Sequence, residues 1–409
     1  MLYKELSYLV KLIFKVNIKN RGEEMELLFT IILILVSTKV AGHLSVKIGQ
    51  PAVLGKLLIG IVLGPAVLSL VSNTPIFHEF SELGVLLLMF LAGLETDADQ
   101  LKANWKPSVA VAVLGIIVPF ASAYALGTAF GFPSHHSIFL GVLFSATSVS
   151  ITVQVLKEMD VMQTRESTTI LGAAVVDDIL VVTLLAFVMS FMGEGSSDVS
   201  VPVLLLKKVI FFVGAFVVGI YVVPFFLKLF SKFKVTAPVT AGALIVCFGF
   251  AYFGEMLGMA GIIGTFLAGL FISQTDFKEE IEHSVDPIAN ALFVPFFYVS
   301  VGLSITFDGV LDQIGFLIIC TVVAVFSKLI GGYAGARVTG FNQLSSLSIG
   351  SGMVSRGEVA LILGTTGLSS GLLSEDYYTS VIISVILTTL IAPPMLKHFF
   401  TKIKNKEAK

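Results

Sequence analysis

The sequence predicts an all-α polytopic membrane protein of about thirteen transmembrane helices, built as two inverted halves with one interrupted helix in each. Three observations lead there. The 409 residues are 56% hydrophobic and 13% charged, with a mean hydropathy of +0.95, which leaves too few charges to solvate a globular surface. Cutting the chain at charges and Gly/Pro clusters leaves thirteen apolar runs near the ~20 residues needed to cross ~30 Å of hydrocarbon. Lysine and arginine fall in alternate loops.

In order, the predicted spans are 26–46, 52–71, 79–95, 107–130, 135–156, 168–193, 203–230, 236–254, 259–274, 287–303, 313–334, 344–371 and 378–399. The 34 Phe and 37 Gly suit lipid-facing surfaces and close helix packing. A net charge of -2 and a pI near 6.3 leave no basic surface for nucleic acid. Cys247 and Cys320 lie inside apolar runs, without metal-ligand spacing, and read as packing residues.

Lys47, Lys102 and Lys106, Lys157 and Arg165, Lys228 to Lys234, Lys278 and Arg337 follow odd-numbered spans, whereas the loops 72–78, 131–134, 194–202, 255–258, 304–312 and 372–377 carry neither Lys nor Arg. One missed span would scramble this alternation. It places the tail 401–409 in the cytoplasm and starts the first span outside. Residues 1–24 break the pattern with Lys4, Lys11, Lys15, Lys19 and Arg21. They read as an extension ahead of a start at Met25, or as an interfacial amphipathic helix. No cleavable signal pattern or soluble domain after residue 400 is expected.

An ionisable side chain at the bilayer centre costs at least ~2.5–3.5 kcal/mol and calls for an explanation. The sixth span carries Asp177 and Asp178 side by side. Consecutive helical residues point ~100° apart, so the two carboxylates look into different environments. One can face an ion cavity while the other holds a neighbouring helix; two helix-pinning bonds between protonated acids are the bland alternative.

The fifth span carries five hydroxyls within 145–152: Ser145, Thr147, Ser148, Ser150 and Thr152. Hydroxyls compete for backbone hydrogen bonds and support an unwound stretch whose carbonyls can coordinate a cation. The twelfth span repeats this character, with Ser345, Ser346, Ser348, Gly350, Ser351, Gly352, Ser355 and Gly357 around Arg356 and Glu358. Spans five and twelve are an odd number apart and so run in opposite directions, the inverted-repeat pattern of a transporter. Arg356 and Glu358 read as a structural polar pair that neutralises itself or the broken helix ends. Lys328, about two turns inside the eleventh span, calls for a carboxylate, and Asp177 or Asp178 is the natural counter-ion.

These residues resemble the cation:proton antiporter-2 (CPA2) family, especially its NapA-like and GerN-like bacterial sodium/proton antiporters. The resemblance covers residues 26–400 and rests on Gly55-Lys56 to Pro65, Phe90 to Glu95, Thr147-Ser148-Val-Ser150, Asp177-Asp178, Gly264 to Gly269, Phe296 to Gly302, Lys328 and Gly352 to Glu358. It implies an NhaA/NapA-like fold with discontinuous crossing helices, in a homodimer in a bacterial plasma membrane. A mobile core of about 107–193 and 313–399 would move against a scaffold. It further implies that Asp178, with Asp177, Thr147 and Ser148 around it, binds the transported cation, and that Asp177 pairs with Lys328 when the site is empty. Kef-type members usually carry Gln-Asp here and a nucleotide-sensing domain, so Asp177 favours a stand-alone antiporter with no nucleotide and no cofactor.

The expected activity is exchange of Na+ for H+ by alternating access, electrogenic if two protons move per sodium, with K+/H+ exchange as the alternative. A sodium-coupled symporter fits less well, since it does not need an acid pair with a lysine. An intramembrane aspartyl protease needs aspartates facing each other from separate helices, which adjacent Asp177 and Asp178 cannot do.

Overall fold

The computed structural model describes residues 23–191, 201–303 and 313–407; the expected extension at 1–24 lies almost wholly outside them. All regular structure among them is helical. The first helices are α1 (Glu23–Lys47), α2 (Ala52–Leu63), α3 (Pro75–Glu95), α4 (Ala98–Ala103), α5 (Trp105–Ala129), α6 (Ser134–Ser145), α7 (Val149–Glu158) and α8 (Arg165–Phe191). Next come α9 (Val201–Val217), continued through a π turn into α10 (Val223–Phe230), then α11 (Pro238–Met256) and α12 (Gly261–Ile272). The last are α13 (Lys278–Ile288), continued through a second π turn into α14 (Val294–Leu303), then α15 (Ile314–Val338), α16 (Gln343–Gly352), α17 (Glu358–Ser369) and α18 (Glu375–Glu407).

Each predicted span coincides with one helix or one broken helix. Among the described residues ten helical stretches are long and apolar enough to cross a membrane, while Ala52–Leu63, Gly261–Ile272 and Val359–Leu368 are shorter apolar helices. The second span thus ends earlier than the predicted residue 71. Gly64 and Pro65 stop it, and the chain turns back with Ser69 at φ 52° and its amide on the Gly64 carbonyl. The tenth begins earlier than predicted, because the charged stretch from Lys278 is itself helical and feeds into the membrane. The last helix runs on to Glu407, through most of the expected tail.

Local chemistry fixes several starts. Thr74 caps α3 by accepting the Phe77 amide at 3.2 Å, with Pro75 at the first position. Asp97 caps α4 through the Asp99 and Gln100 amides at 2.9 and 3.1 Å, and Asn342 caps α16 through the Ser345 amide at 2.9 Å.

The helices pack in two groups. In one, α5 lies along α15 and contacts α6 and α8, while α15 packs on α16 and α18. In the other, α3 lies along α12 and α14, with α11 on α12 and α1 on α2. Backbones of α3 and α12 meet at Gly93 and Gly269, where a side chain would run into the Phe266 and Phe90 carbonyls respectively. Cys247 and Cys320 are buried packing residues, as expected.

The ends that the Lys/Arg pattern assigns to one side do gather together. Lys157 of α7 bonds Glu95 of α3 and Asp286 of α13 at 2.7 and 2.6 Å, Lys39 of α1 reaches the Asn290 carbonyl, and Lys404 of α18 reaches the Met159 carbonyl. On the opposite face the start of α6 meets the end of α17, where His136 Nε2 lies 2.9 Å from the Gly371 carbonyl.

Candidate functional site

The fifth predicted span breaks where its hydroxyls cluster: α6 stops at Ser145, the chain is extended at Ala146 and Ser148, and α7 starts at Val149. The twelfth breaks likewise between Gly352 and Glu358. Because α6 starts on the face where α17 ends, the two broken helices run in opposite directions and cross at their unwound segments.

A broken helix leaves backbone groups without partners, and at membrane depth each must find one in the protein. Here each break supplies the other. The Ser148 amide donates to the Ser355 carbonyl at 2.7 Å, and the Ser355 hydroxyl donates to the Ser148 carbonyl at 2.7 Å. Thr152 Oγ1 caps the end of α16 through the Gly352 carbonyl at 2.7 Å. Arg356, fully buried, places Nε and Nη2 at 3.1 and 2.8 Å from the Phe144 carbonyl, with its guanidinium 5.0 Å from the Phe144 ring centroid. Its charge thereby sits on the negative end of α6. Of the two readings of Arg356, the structure places it at the helix end; the side chain of Glu358 lies outside the described residues.

The two aspartates of α8 look into different surroundings, as their adjacency requires. Asp177, fully buried, accepts the Thr147 hydroxyl at 2.5 Å and the Lys328 ammonium at 3.3 and 3.4 Å. Lys328 is also fully buried, and lies deeper than two turns because α15 continues to Val338, ten residues or about 15 Å beyond it. The choice left open between the aspartates therefore falls on Asp177.

Asp178 forms no ion pair among the described residues. It borders a small cavity, about 10 Å³, with Met89, Val149, Ile262 and Phe266. Val149 and Ile262 also line a larger cavity of about 220 Å³ that reaches Thr147 and Ser148 at the crossing and holds Glu82 and Glu255. Thr147 thus bonds Asp177, and Thr147 and Ser148 line the cavity that shares Val149 and Ile262 with that of Asp178, while Arg356 stands at the helix end.

Two features escaped the sequence reading. The Lys157, Glu95 and Asp286 cluster joins three helices far apart in sequence, so no local pattern announces it. Lys208 is buried in the seventh span with only the Met259 sulfur, 3.3 Å from its Nζ, as hydrogen-bond partner among the described residues. Its signal was visible as a Lys-Lys pair interrupting an apolar run.

Two broken helices crossing beside a buried acid pair, in antiparallel halves, define a secondary transporter. The chain belongs to the sodium/hydrogen exchanger family, whose transmembrane region matches residues 24–402. It is 56% identical over 377 residues to the Na(+)/H(+)-K(+) antiporter GerN of Bacillus cereus, covering 92% of this chain and 97% of that protein. It is 44% identical over 380 residues to a Na(+)/H(+) antiporter of Enterococcus hirae, covering 93% and 99%. In fold it resembles the sodium proton antiporter MjNhaP1 of Methanocaldococcus jannaschii, with a TM-score of 0.68 at 16% identity over 91% of this chain and 96% of that one. The expected family membership and fold class are borne out, and the chain is a multi-pass membrane protein.

Proposed function

We propose that the protein is a secondary Na+/H+ antiporter in which Asp178 is occupied alternately by a proton and a sodium ion. The observation that carries this is the division of labour on α8. Lys328 and Thr147 hold Asp177, and Asp178 is left as a buried carboxylate beside the crossing. A carboxylate withdrawn from water gains most from a proton or a metal ion, and the two compete for it. The GerN and Enterococcus relatives, named as Na(+)/H(+) antiporters, point the same way.

Sodium would enter with ligands from Asp178, the hydroxyls of Thr147 and Ser148, and carbonyls of the unwound segment. Asp177 would exchange Lys328 for the ion. If Lys328 then loses its proton, two protons move per sodium and exchange is electrogenic. The α5–α8 and α15–α18 group would carry the site past α3, α11 and α12. The face gathering Lys157, Lys397 and Lys404 would be cytoplasmic, and the 220 Å³ cavity would open outward. The membrane would be a bacterial plasma membrane. The homodimer and the division into core and scaffold rest on the family resemblance.

Sodium-driven proton exchange in everted vesicles tests the reading: Asp178→Asn abolishes it, and wild-type rates in that variant would overturn it. Potassium exchange is a second reading, favoured by the GerN relative's name as a Na(+)/H(+)-K(+) antiporter. Substituting potassium for sodium in the same assay separates the two.

A further inference from the structure

Outside the crossing, one buried charge has no part in the mechanism above. The buried face of α9 is the stripe Lys208, Phe211 and Ala215, while Leu206, Val209, Ile210 and Val213 are exposed. Lys208 therefore points into the protein, at 3% exposure, while its neighbour Lys207 is only half-buried. It makes no ion pair within 4.0 Å among the described residues. A lysine placed for structure alone would have a carboxylate at contact, or would extend to the membrane surface. This one rests its ammonium on the Met259 sulfur.

Met259 lies immediately before α12, and three residues on Ile262 lines both the cavity of Asp178 and the larger cavity beside it. The helix that carries Lys208 also packs on α8, the helix of Asp178.

We propose that Lys208 is a positioning residue of the ion site, a tethered cation that opposes Asp178 from α9 and weakens its hold on sodium. The idea rests on the assignment of Asp178 as the ion-binding carboxylate. With the site empty, the lysine balances the ionised acid; with sodium bound, the two cations repel and release of the ion is favoured. Without Lys208 the ion is held more tightly and leaves more slowly. A unit charge ~10 Å away at an effective dielectric of ~20 changes an equilibrium on the order of tenfold, less where ions screen it.

The test is sodium binding to the purified full chain at alkaline pH, where protons compete least, for wild type, Lys208→Met, Lys208→Gln, Lys208→Arg and Asp178→Asn. The expected result is a Kd lowered roughly three- to tenfold in Lys208→Met and Lys208→Gln, and kept within about twofold in Lys208→Arg. Exchange by the neutral variants should show a lower sodium KM together with a lower kcat. An unchanged or weaker Kd in both neutral variants overturns the proposal. Should Lys208→Met fail to fold, Lys208→Gln decides it. Undiminished binding in Asp178→Asn would instead overturn the site assignment itself.

Discussion

Ser148 and Ser355, 207 positions apart, hold each other through two hydrogen bonds of 2.7 Å, one from the Ser148 amide and one from the Ser355 hydroxyl. Each sits in the unwound part of its helix, so each break satisfies backbone groups that the other exposes. Neither helix could be broken alone at this depth without leaving polar groups unpaired.

Gly357 adjoins this contact, and a Cβ there would lie 2.6 Å from the Ser148 Oγ and 2.8 Å from its Cβ. Gly357→Ala should therefore destabilise the protein by about 1–3 kcal/mol and slow exchange. Adding Ser148→Gly should recover part of the loss. Thermal unfolding of the two single variants and the double variant measures the coupling.

Arg356 puts two donors of its planar fork, Nε and Nη2, on the Phe144 carbonyl and a third, Nη1, on the Val354 carbonyl at 3.4 Å. Lysine keeps the charge but not the fork. Arg356→Lys should lower stability by about 2–4 kcal/mol, as expected for a buried charge losing partners. Thermal-shift measurement in detergent checks this, and an unchanged midpoint would mean the fork is dispensable.

Lys328→Met leaves Asp177 with the Thr147 hydroxyl as its only remaining donor among the described residues. An unpaired buried carboxylate costs about 3–5 kcal/mol, so the melting point should fall most at alkaline pH, where the acid is forced to ionise. If Lys328 carries the second proton, exchange by the variant should also become insensitive to an imposed membrane potential. Flux in proteoliposomes with and without that potential tests it.

Lys157 ties the second half of the fifth span to α3 and α13. Lys157→Met removes both bonds and leaves Glu95 and Asp286 without their shared cation. That face should loosen, so a cysteine placed at the buried Gln154 should react several-fold faster with a thiol reagent added from the same side. Equal labelling rates would show that the cluster does not close the face.

The span pattern was legible because a membrane imposes length and apolarity on each helix, and because Lys and Arg mark one side. The breaks were legible too, since Ser145 to Thr152 and Ser345 to Gly357 are too polar for ordinary spans. What stayed hidden was partnership. Nothing near Arg356 announces that the Phe144 carbonyl, 212 residues away, is its acceptor, and Glu358, two residues on, invited a local pairing. From the residues alone, the choice between Asp177 and Asp178 for Lys328 depends on which way α8 is turned, which only packing sets; it was the resemblance that named Asp177. Lys207 and Lys208 lie close to the start of an apolar run long enough to span the membrane without them, so the sequence does not show that Lys208 turns inward.

Sodium titration of the purified protein in weakly buffered solution, with the released protons counted, tests the central claim most directly. Wild type should release protons as sodium binds, and Asp178→Asn should neither bind sodium nor release protons. Full sodium affinity with full proton release in Asp178→Asn would contradict the account.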